Sequence, residues 1–281
     1  MFDNLLQPSS ISLFSSTSSE PLQLWAVETD ASNQSCVRLL HDSASQSLHS
    51  ESASLISPPP LVELGGAERG SEIDSQNLGY NLNQTVLHIQ SPKLPTTYIQ
   101  CPPNWNHSSL GLKHSWMHLQ VRNVGRDWSF EVGLVDHSGR IGVLRMSTFQ
   151  KQPRLKLSRG AENSLPLLHL PLSFPSRSFR PLTAWTTINL HLPTFIPYFS
   201  QSNLLTKDEE DQDQEQKDES RLGPEYQSWE HGQSLRQTSN IPSGSYSHIS
   251  YIRVYATCRL RRIWFDENGR PPWEFELYSA D

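Results

Sequence analysis

An all-β fold, a β-sandwich or jelly-roll-like single domain, is what this 281-residue sequence predicts. Three observations carry that expectation. Ten or more short runs alternate apolar and polar residues with the two-residue period of a strand. Pro, Gly, Asn or Asp punctuate them, and almost no stretch shows the period of a helix. Hydrophobic residues make up only 35% of the chain, against ~45–50% for an average globular domain. A modest core interrupted by two polar, disordered insertions accounts for the deficit.

Residues 1–20 are Ser-rich, with Phe2, Leu5, Leu6, Ile11, Leu13 and Phe14 scattered among the serines. They read as an arm before a domain at 21–281, ordered either by a partner or by packing on that domain. The arm lacks the basic region and continuous apolar stretch of a signal peptide. Pro21 opens an alternating strand at 22–27, and 36–40 reads as a second. From about 41 to 82 the chain turns Ser-, Pro-, Gly- and Glu-rich, with Pro58-Pro59-Pro60 reading as an extended spacer. Strands resume at 85–90 and 96–101, divided by Pro92 and Pro95. Residues 116–123 alternate cleanly, Met117, Leu119 and Val121 against His118, Gln120 and Arg122. Residues 129–136 repeat the pattern, and Asn123, Gly125 and Asp127 between them suggest a hairpin loop.

Ser138-Gly139 turns the chain into a strand at 141–146. Residues 165–172, interrupted by Pro166 and Pro171, suit a sheet edge. A strand at 186–192 follows, then a helical turn or anchored loop at 193–199. The second insertion spans about 200–245. Residues 246–265 form two strands in close succession. In the first, Ser250, Ile252, Val254 and Ala256 take the core face, with Ile249, Tyr251, Arg253 and Tyr255 opposite. In the second, the apolar phase slips at Arg262, as a β-bulge requires. Residues 274–278 supply a last strand. Core positions are Leu24, Leu119, Val121, Phe130, Val132, Ile188, Leu190, Ile252, Val254 and Leu260.

The net charge of −6 resides in one place. Residues 207–219 hold eight acids and two bases, so the remaining chain, with twenty-one of each, is neutral. That run is read as solvated tail, or else as a cover for an arginine patch. Cys36, Cys101 and Cys258 have no metal-site spacing and read as buried thiols of a reducing compartment. No run approaches the ~20 apolar residues of a membrane span; a soluble intracellular protein is expected.

Catalytic constellations are missing from the sequence. There is no Gly-x-Ser-x-Gly elbow, phosphate loop or dinucleotide fingerprint. His114 and His118 would align on a helix, but this segment alternates as a strand, where they stand ~13 Å apart. His88, His169, His191 and His248 read as single outward polar positions. No catalytic residue, metal or cofactor is therefore expected, nor any small-molecule substrate or membrane partner.

One surface remains. Four arginines within ten residues, Arg253, Arg259, Arg261 and Arg262, are interleaved with Tyr255 and followed by Trp264. Guanidinium forks of this kind suit the carboxylates of an acidic protein surface. Nucleic acid would use the same residues on phosphates, but calls for a domain-wide basic excess that this chain lacks. Partner contact is assigned to Arg253, Arg259, Arg261, Arg262 and Trp264, with Lys113 and Arg122 as further contributors.

Several stretches resemble one family. They are Pro21-Leu-Gln-Leu-Trp25, Thr96-Thr-Tyr-Ile-Gln-Cys-Pro102, Leu110-Gly-Leu-Lys113, Phe130-Glu-Val132, Trp185, Thr187-Ile-Asn-Leu190 and Glu274-Phe-Glu-Leu-Tyr278. The most specific is Ile252-Arg-Val-Tyr-Ala-Thr-Cys-Arg-Leu-Arg-Arg-Ile-Trp-Phe265. Together they are similar to the cilia- and flagella-associated protein twenty domain family. The resemblance implies a compact β-sandwich at the inner junction of doublet microtubules. It implies a non-catalytic structural protein of the axoneme or basal body that binds tubulin and other inner-junction proteins. A nuclear role among members leaves a nucleic-acid- or transcription-complex-associated module as the alternative for a divergent paralogue. Both polar insertions depart from the family pattern. The segment 145–159 keeps Arg145, Ser147, Phe149 and Gln150 and drifts around them.

Overall fold

The computed structural model describes residues 1–2, 6–42, 84–105, 108–157, 165–174, 185–205 and 241–269. Its strands are β1 (Ser10–Ser15), β2 (Ala26–Glu28), β3 (Cys36–His41), β4 (Thr85–Gln90), β5 (Tyr98–Cys101), β6 (Trp116–Asn123) and β7 (Ser129–Asp136). They continue with β8 (Ile141–Ser147), β9 (Arg154–Lys156), β10 (Leu167–Pro171), β11 (Thr186–His191), β12 (Tyr246–Tyr255) and β13 (Cys258–Asp266). A 3-10 helix, Leu192–Ser200, sits where a helical turn was expected.

The strands form two sheets, confirming the all-β sandwich. One has six strands in the order β11-β6-β13-β4-β3, with β1 also paired to β13. The other has seven in the order β2-β5-β12-β7-β8-β10-β9. β13 meets β6 along one side; on its other side its first residues pair with β4 and its last with β1. Period-two alternation sends one row from each strand into the space between the sheets. Met117, Leu119 and Val121 enter from β6, Phe130, Val132 and Leu134 from β7, Ile252 and Val254 from β12, and Leu260, Ile263 and Phe265 from β13. Each such burial contributes about 1.5–3 kcal/mol. Leu24 and Ile188, assigned to the core from sequence, pack against it while only partly buried.

The expected bulge in β13 is present. Leu260 faces Val121 and Arg262 faces Gln120, so Arg261 is the additional residue. A second bulge, in β12, went unforeseen. Ile249 faces Leu134 and Tyr251 faces Gly133, leaving Ser250 between them. Ile249 is therefore fully buried in the core, where strict alternation had placed it outside with Tyr251.

Three further readings are corrected. The connection 124–128 is no hairpin, because β6 and β7 belong to different sheets and the chain arches between them. Residues 167–171 are not an edge: β10 runs parallel to β8 on one side and antiparallel to β9 on the other. The strand expected from residue 22 begins at Ala26, after a turn closed by Trp25 N–H donating to Leu22 O at 2.9 Å. The open question of the N-terminal arm is answered for residues 10–15, which pair with β13. The acidic run, Pro58-Pro59-Pro60 and the strand read at 274–278 lie outside the described residues.

Gly133 permits the β12 bulge. A Cβ there would stand 2.1 Å from Ser250 Oγ and 2.6 Å from the Tyr251 ring. Ser250 Oγ in turn donates to Gly133 O at 3.1 Å. Gly133→Ala is expected to cost ~1–3 kcal/mol by overpacking, read as a lower midpoint of thermal or urea unfolding.

Candidate functional site

Cross-strand register builds the outer face of the seven-stranded sheet. Gln100, Arg253, Glu131, Arg145, His169 and Arg154 stand opposite one another in a single row across β5, β12, β7, β8, β10 and β9. Neighbours in such a row come within side-chain reach, and hydrogen bonds and ion pairs link this one from Gln100 to Arg145. Arg253 donates Nε to Gln100 Oε1 at 2.8 Å and Nη1 to Tyr255 Oη at 2.9 Å, with Nη2 also on Gln100 Oε1. Glu131 Oε2 lies 3.6 Å from Arg253 Nη1, while its Oε1 accepts from Arg145 Nε at 2.7 Å. Beyond Arg145, Ser147 Oγ and His169 Nε2 share a hydrogen bond of 2.7 Å.

Aromatic rings close around Arg253. Its guanidinium carbon is 4.7 Å from the Tyr98 ring centre, 5.6 Å from Tyr251 and 5.7 Å from Tyr255. Each cation–π contact contributes ~0.5–2 kcal/mol, more as water is excluded. Trp105 lies against Tyr251, centroids 4.8 Å apart. Burial, then the Glu131 charge, pushes the Tyr251 phenol above its ordinary value and does the same to Tyr255. Burial works against the Arg253 cation, but the Tyr255 hydrogen bond and Glu131 outweigh it and the pKa rises.

A cleft of about 270 Å³ opens beside this group, lined by Glu28, Tyr98, Gln100, Asn104, Trp105 and Arg253 among others. Gln100 and Tyr255 occupy three of the five guanidinium N–H donors. A carboxylate, carbonyl or hydroxyl entering the cleft meets the same guanidinium, with Glu28 available for a donor.

The other assigned residues lie elsewhere. Arg259 and Arg122 face each other across β13 and β6 on the six-stranded sheet, 3% and 8% exposed. Both donate to Asp42 Oδ1, at 3.0 and 2.9 Å, while Trp185 Nε1 donates to Asp42 Oδ2 at 2.8 Å. Arg261, the bulged residue, is 3% exposed and donates Nε to Gln84 Oε1 at 2.9 Å and Nη1 to Gln120 Oε1 at 2.6 Å. Trp264 is fully buried, stacked at 4.8 Å on His118, whose Nε2 is 2.9 Å from Asp266 Oδ2. These four side chains hold the fold from within. Arg262 is half-buried opposite Ser15 of β1, and Lys113 is exposed. The arginines thus do not form one patch.

Two of the four histidines read as outward polar positions, His88 and His169, are buried rather than exposed. His88 is 2% exposed and His169 6%. Burial, with Arg259 and Arg38 nearby, lowers the His88 pKa to about 4 despite its bond to Gln90; burial, with Arg145, Lys156 and Arg154, takes His169 to about 4. Cys101 and Cys258 are buried thiols, Cys101 pushed up to about 12 by burial; Cys36 is half-buried. No cluster of potential metal ligands occurs among the described residues.

Sequence reasoning did not select Tyr98, Gln100, Trp105, Glu131 or Arg145. Their only signal was phase: each polar residue stands opposite the core-facing positions of its strand.

Comparison with known proteins bears on this arrangement. Residues 75–197 match the model of the CFA20 domain. That segment contains β4 to β11, whereas Arg253 follows it. Over 282 aligned residues the chain is 26% identical to the cilia- and flagella-associated protein 20 of Chlamydomonas reinhardtii, covering 99% of this chain and 97% of that one. Its namesakes from Caenorhabditis briggsae and Caenorhabditis elegans are each 26% identical over the same length, with 91% of either covered.

Two outcomes follow from these interiors. Asp42→Ala removes the carboxylate shared by two buried arginines, and a loss of about 3–5 kcal/mol is expected in urea unfolding. His88 and His169 bind protons less readily folded than unfolded. Stability is therefore full above pH ~6.5 and falls as pH drops towards 4. His88→Gln with His169→Gln should flatten the unfolding free energy between those pH values relative to the parent.

Proposed function

We propose, from the premise that this chain carries a CFA20 domain and is kin to cilia- and flagella-associated proteins along nearly its whole length, that it is a non-catalytic structural protein of the cilium or flagellum. On this reading it binds axonemal or basal-body microtubules and neighbouring junction proteins through the outer face of the seven-stranded sheet. The observation that carries the reading is Arg253. Its aromatic surround and Gln100 fix the guanidinium before any partner arrives, so little side-chain freedom is lost on docking. Tubulin offers an acidic surface, and a carboxylate from it would take the N–H donors that face the cleft.

The non-catalytic part of the reading is supported by the groups that would otherwise do chemistry. His88 is bonded to Gln90 and His169 to Ser147, and their pKa values near 4 keep both imidazoles neutral at pH 7. The Cys101 and Cys258 thiols are held protonated by burial. Asp136 spends its carboxylate on backbone N–H groups of Ser138, Arg140 and Ser243, at 2.8, 2.9 and 3.2 Å.

Co-sedimentation with taxol-stabilised microtubules tests the reading. The parent should pellet saturably. Arg253→Lys keeps the charge but loses the planar fork, and Trp105→Ala opens the cleft wall; each should weaken binding about fivefold or more. Parental binding by both variants, with unchanged unfolding midpoints, would move the contact to another face. Absence of pelleting by the parent would remove tubulin alone as the partner.

A further inference from the structure

A sheet edge presents unpaired backbone N–H and C=O groups, and proteins guard such edges with short strands, charges, proline or bulges. Most edge strands here are guarded. β2 has three residues; β9 also has three, Arg154 and Lys156 among them, and Leu205 bridges its Leu155. β3 carries Arg38, and β1 breaks register between Ser12 and Phe14. β11 is the exception. Its six residues, Thr-Thr-Ile-Asn-Leu-His, include no Lys, Arg, Asp, Glu or Pro. Its register is unbroken, and it pairs with β6 alone among the described residues.

Register also tells which backbone groups this edge presents. Leu192 N–H donates to Ser115 O at 2.8 Å, one step beyond the His191–Trp116 pair of β11 and β6. Antiparallel ladders alternate bonded and non-bonded pairs. Leu190 and Ile188 therefore bond to β6, while Thr187, Asn189 and His191 direct their N–H and C=O groups outward. The side chains of these three lie opposite the core, and Asn189 is exposed. On the core side Leu190 is buried, but Ile188 is only partly so. The edge thus sets incompletely covered apolar surface beside an open row of donors and acceptors.

We propose that β11 pairs two copies of this chain, antiparallel about a two-fold axis at Asn189. Residues opposite one another in such a pair share a face of the sheet. Thr187 then stands opposite His191 of the copy, Asn189 opposite Asn189, and Ile188 opposite Leu190, which continues the core side across the junction. All three outward backbone positions are used. Self-complementarity selects a second copy as the occupant. No like charges meet, and the side chain on the axis is an amide, which both donates and accepts. His118 Nδ1 and Asn189 Oδ1 share a bond of 2.6 Å, so that amide is held in place and its Nδ2 group serves the copy. An ammonium or carboxylate at the same position would repel its own image. This contact belongs to the six-stranded sheet, apart from the Arg253 cleft, and stands whether or not tubulin is the partner there.

Sedimentation equilibrium of the full chain over about 1–200 μM tests it, with a reversible monomer–dimer curve expected. Thr187→Pro deletes an outward N–H and none that bonds β6, a change that edge strands tolerate. It acts twice in the symmetric pair and should weaken dimerisation about tenfold or more. Asn189→Lys sets two ammonium groups face to face and should do the same. Oxidative cross-linking in a Cys36→Ser background reads the register. Opposed Cα atoms stand ~5.5 Å apart, within disulfide reach, so Asn189→Cys should link to its copy. Thr187→Cys, ~13 Å from its own image, should not. A parent still monomeric at about 200 μM would overturn the proposal, leaving the edge to an unlike segment or to water. So would dimerisation of both Thr187→Pro and Asn189→Lys equal to the parent's, or cross-linking of Thr187→Cys in preference to Asn189→Cys.

Discussion

One stretch of chain supplies an inner strand to each sheet, and the sandwich depends on it. β12 lies between β5 and β7 in one sheet, and β13 lies between β6 and the β4–β1 side of the other. Only Ala256 and Thr257 separate them. Their backbone N–H groups donate to Thr97 O and Asp127 O, at 3.0 and 2.9 Å, which fastens the arch to the connections on either side. Neither sheet closes until this late segment arrives, so most stabilising contacts join residues far apart in sequence. Loop-closure entropy must be met before those contacts form, which makes such a topology slow to fold.

The same arch decides what the arginines can do. In sequence, Arg253, Arg259, Arg261 and Arg262 are near neighbours and read as a single cationic surface. In space the chain crosses from one sheet to the other between Arg253 and Arg259. Side chains pointing outward before the crossing and after it lie on opposite sides of a sandwich whose sheets pack ~10 Å apart. Two surfaces result. One keeps Arg253 beside an open cleft; the other folds Arg259 and Arg122 onto Asp42.

How much was legible follows from what kind of information each feature uses. β6 and β7 were read to the residue because alternation is local and both strands bury one full face. The β13 bulge was legible for the same reason, since a slip in register shows as a slip in apolar phase. The β12 bulge was not: Ser250 is small enough to pass as a core residue, and nothing local announces that Ile249 also turns inward. An arch and a hairpin are equally indistinct. Gly125 takes a positive φ in the 124–128 connection, as it would in a turn between paired strands. Asp42 is the clearest loss. Read as the start of a polar insertion, it is the counter-charge of two arginines 80 and 217 residues away. No spacing rule reaches that far.

The equation of polar with exposed failed most broadly, and its failure bears on recognition. On both outer faces much of the polar row is buried, and Arg253, Arg145 and Arg259 are bonded to residues beyond their own strands. A buried guanidinium loses hydration that its partners must replace, so these rows add more to the uniqueness of strand register than to net stability. A one-residue slip would separate Arg253 from Gln100 and Glu131, or Arg259 from Asp42, leaving charge in a dry setting. Register and site geometry are therefore set by the same contacts. A partner reaching Arg253 meets a group whose position is already determined by Gln100, Tyr98 and Tyr255. Its selectivity then comes from the direction of the remaining N–H donors more than from the number of charges it presents.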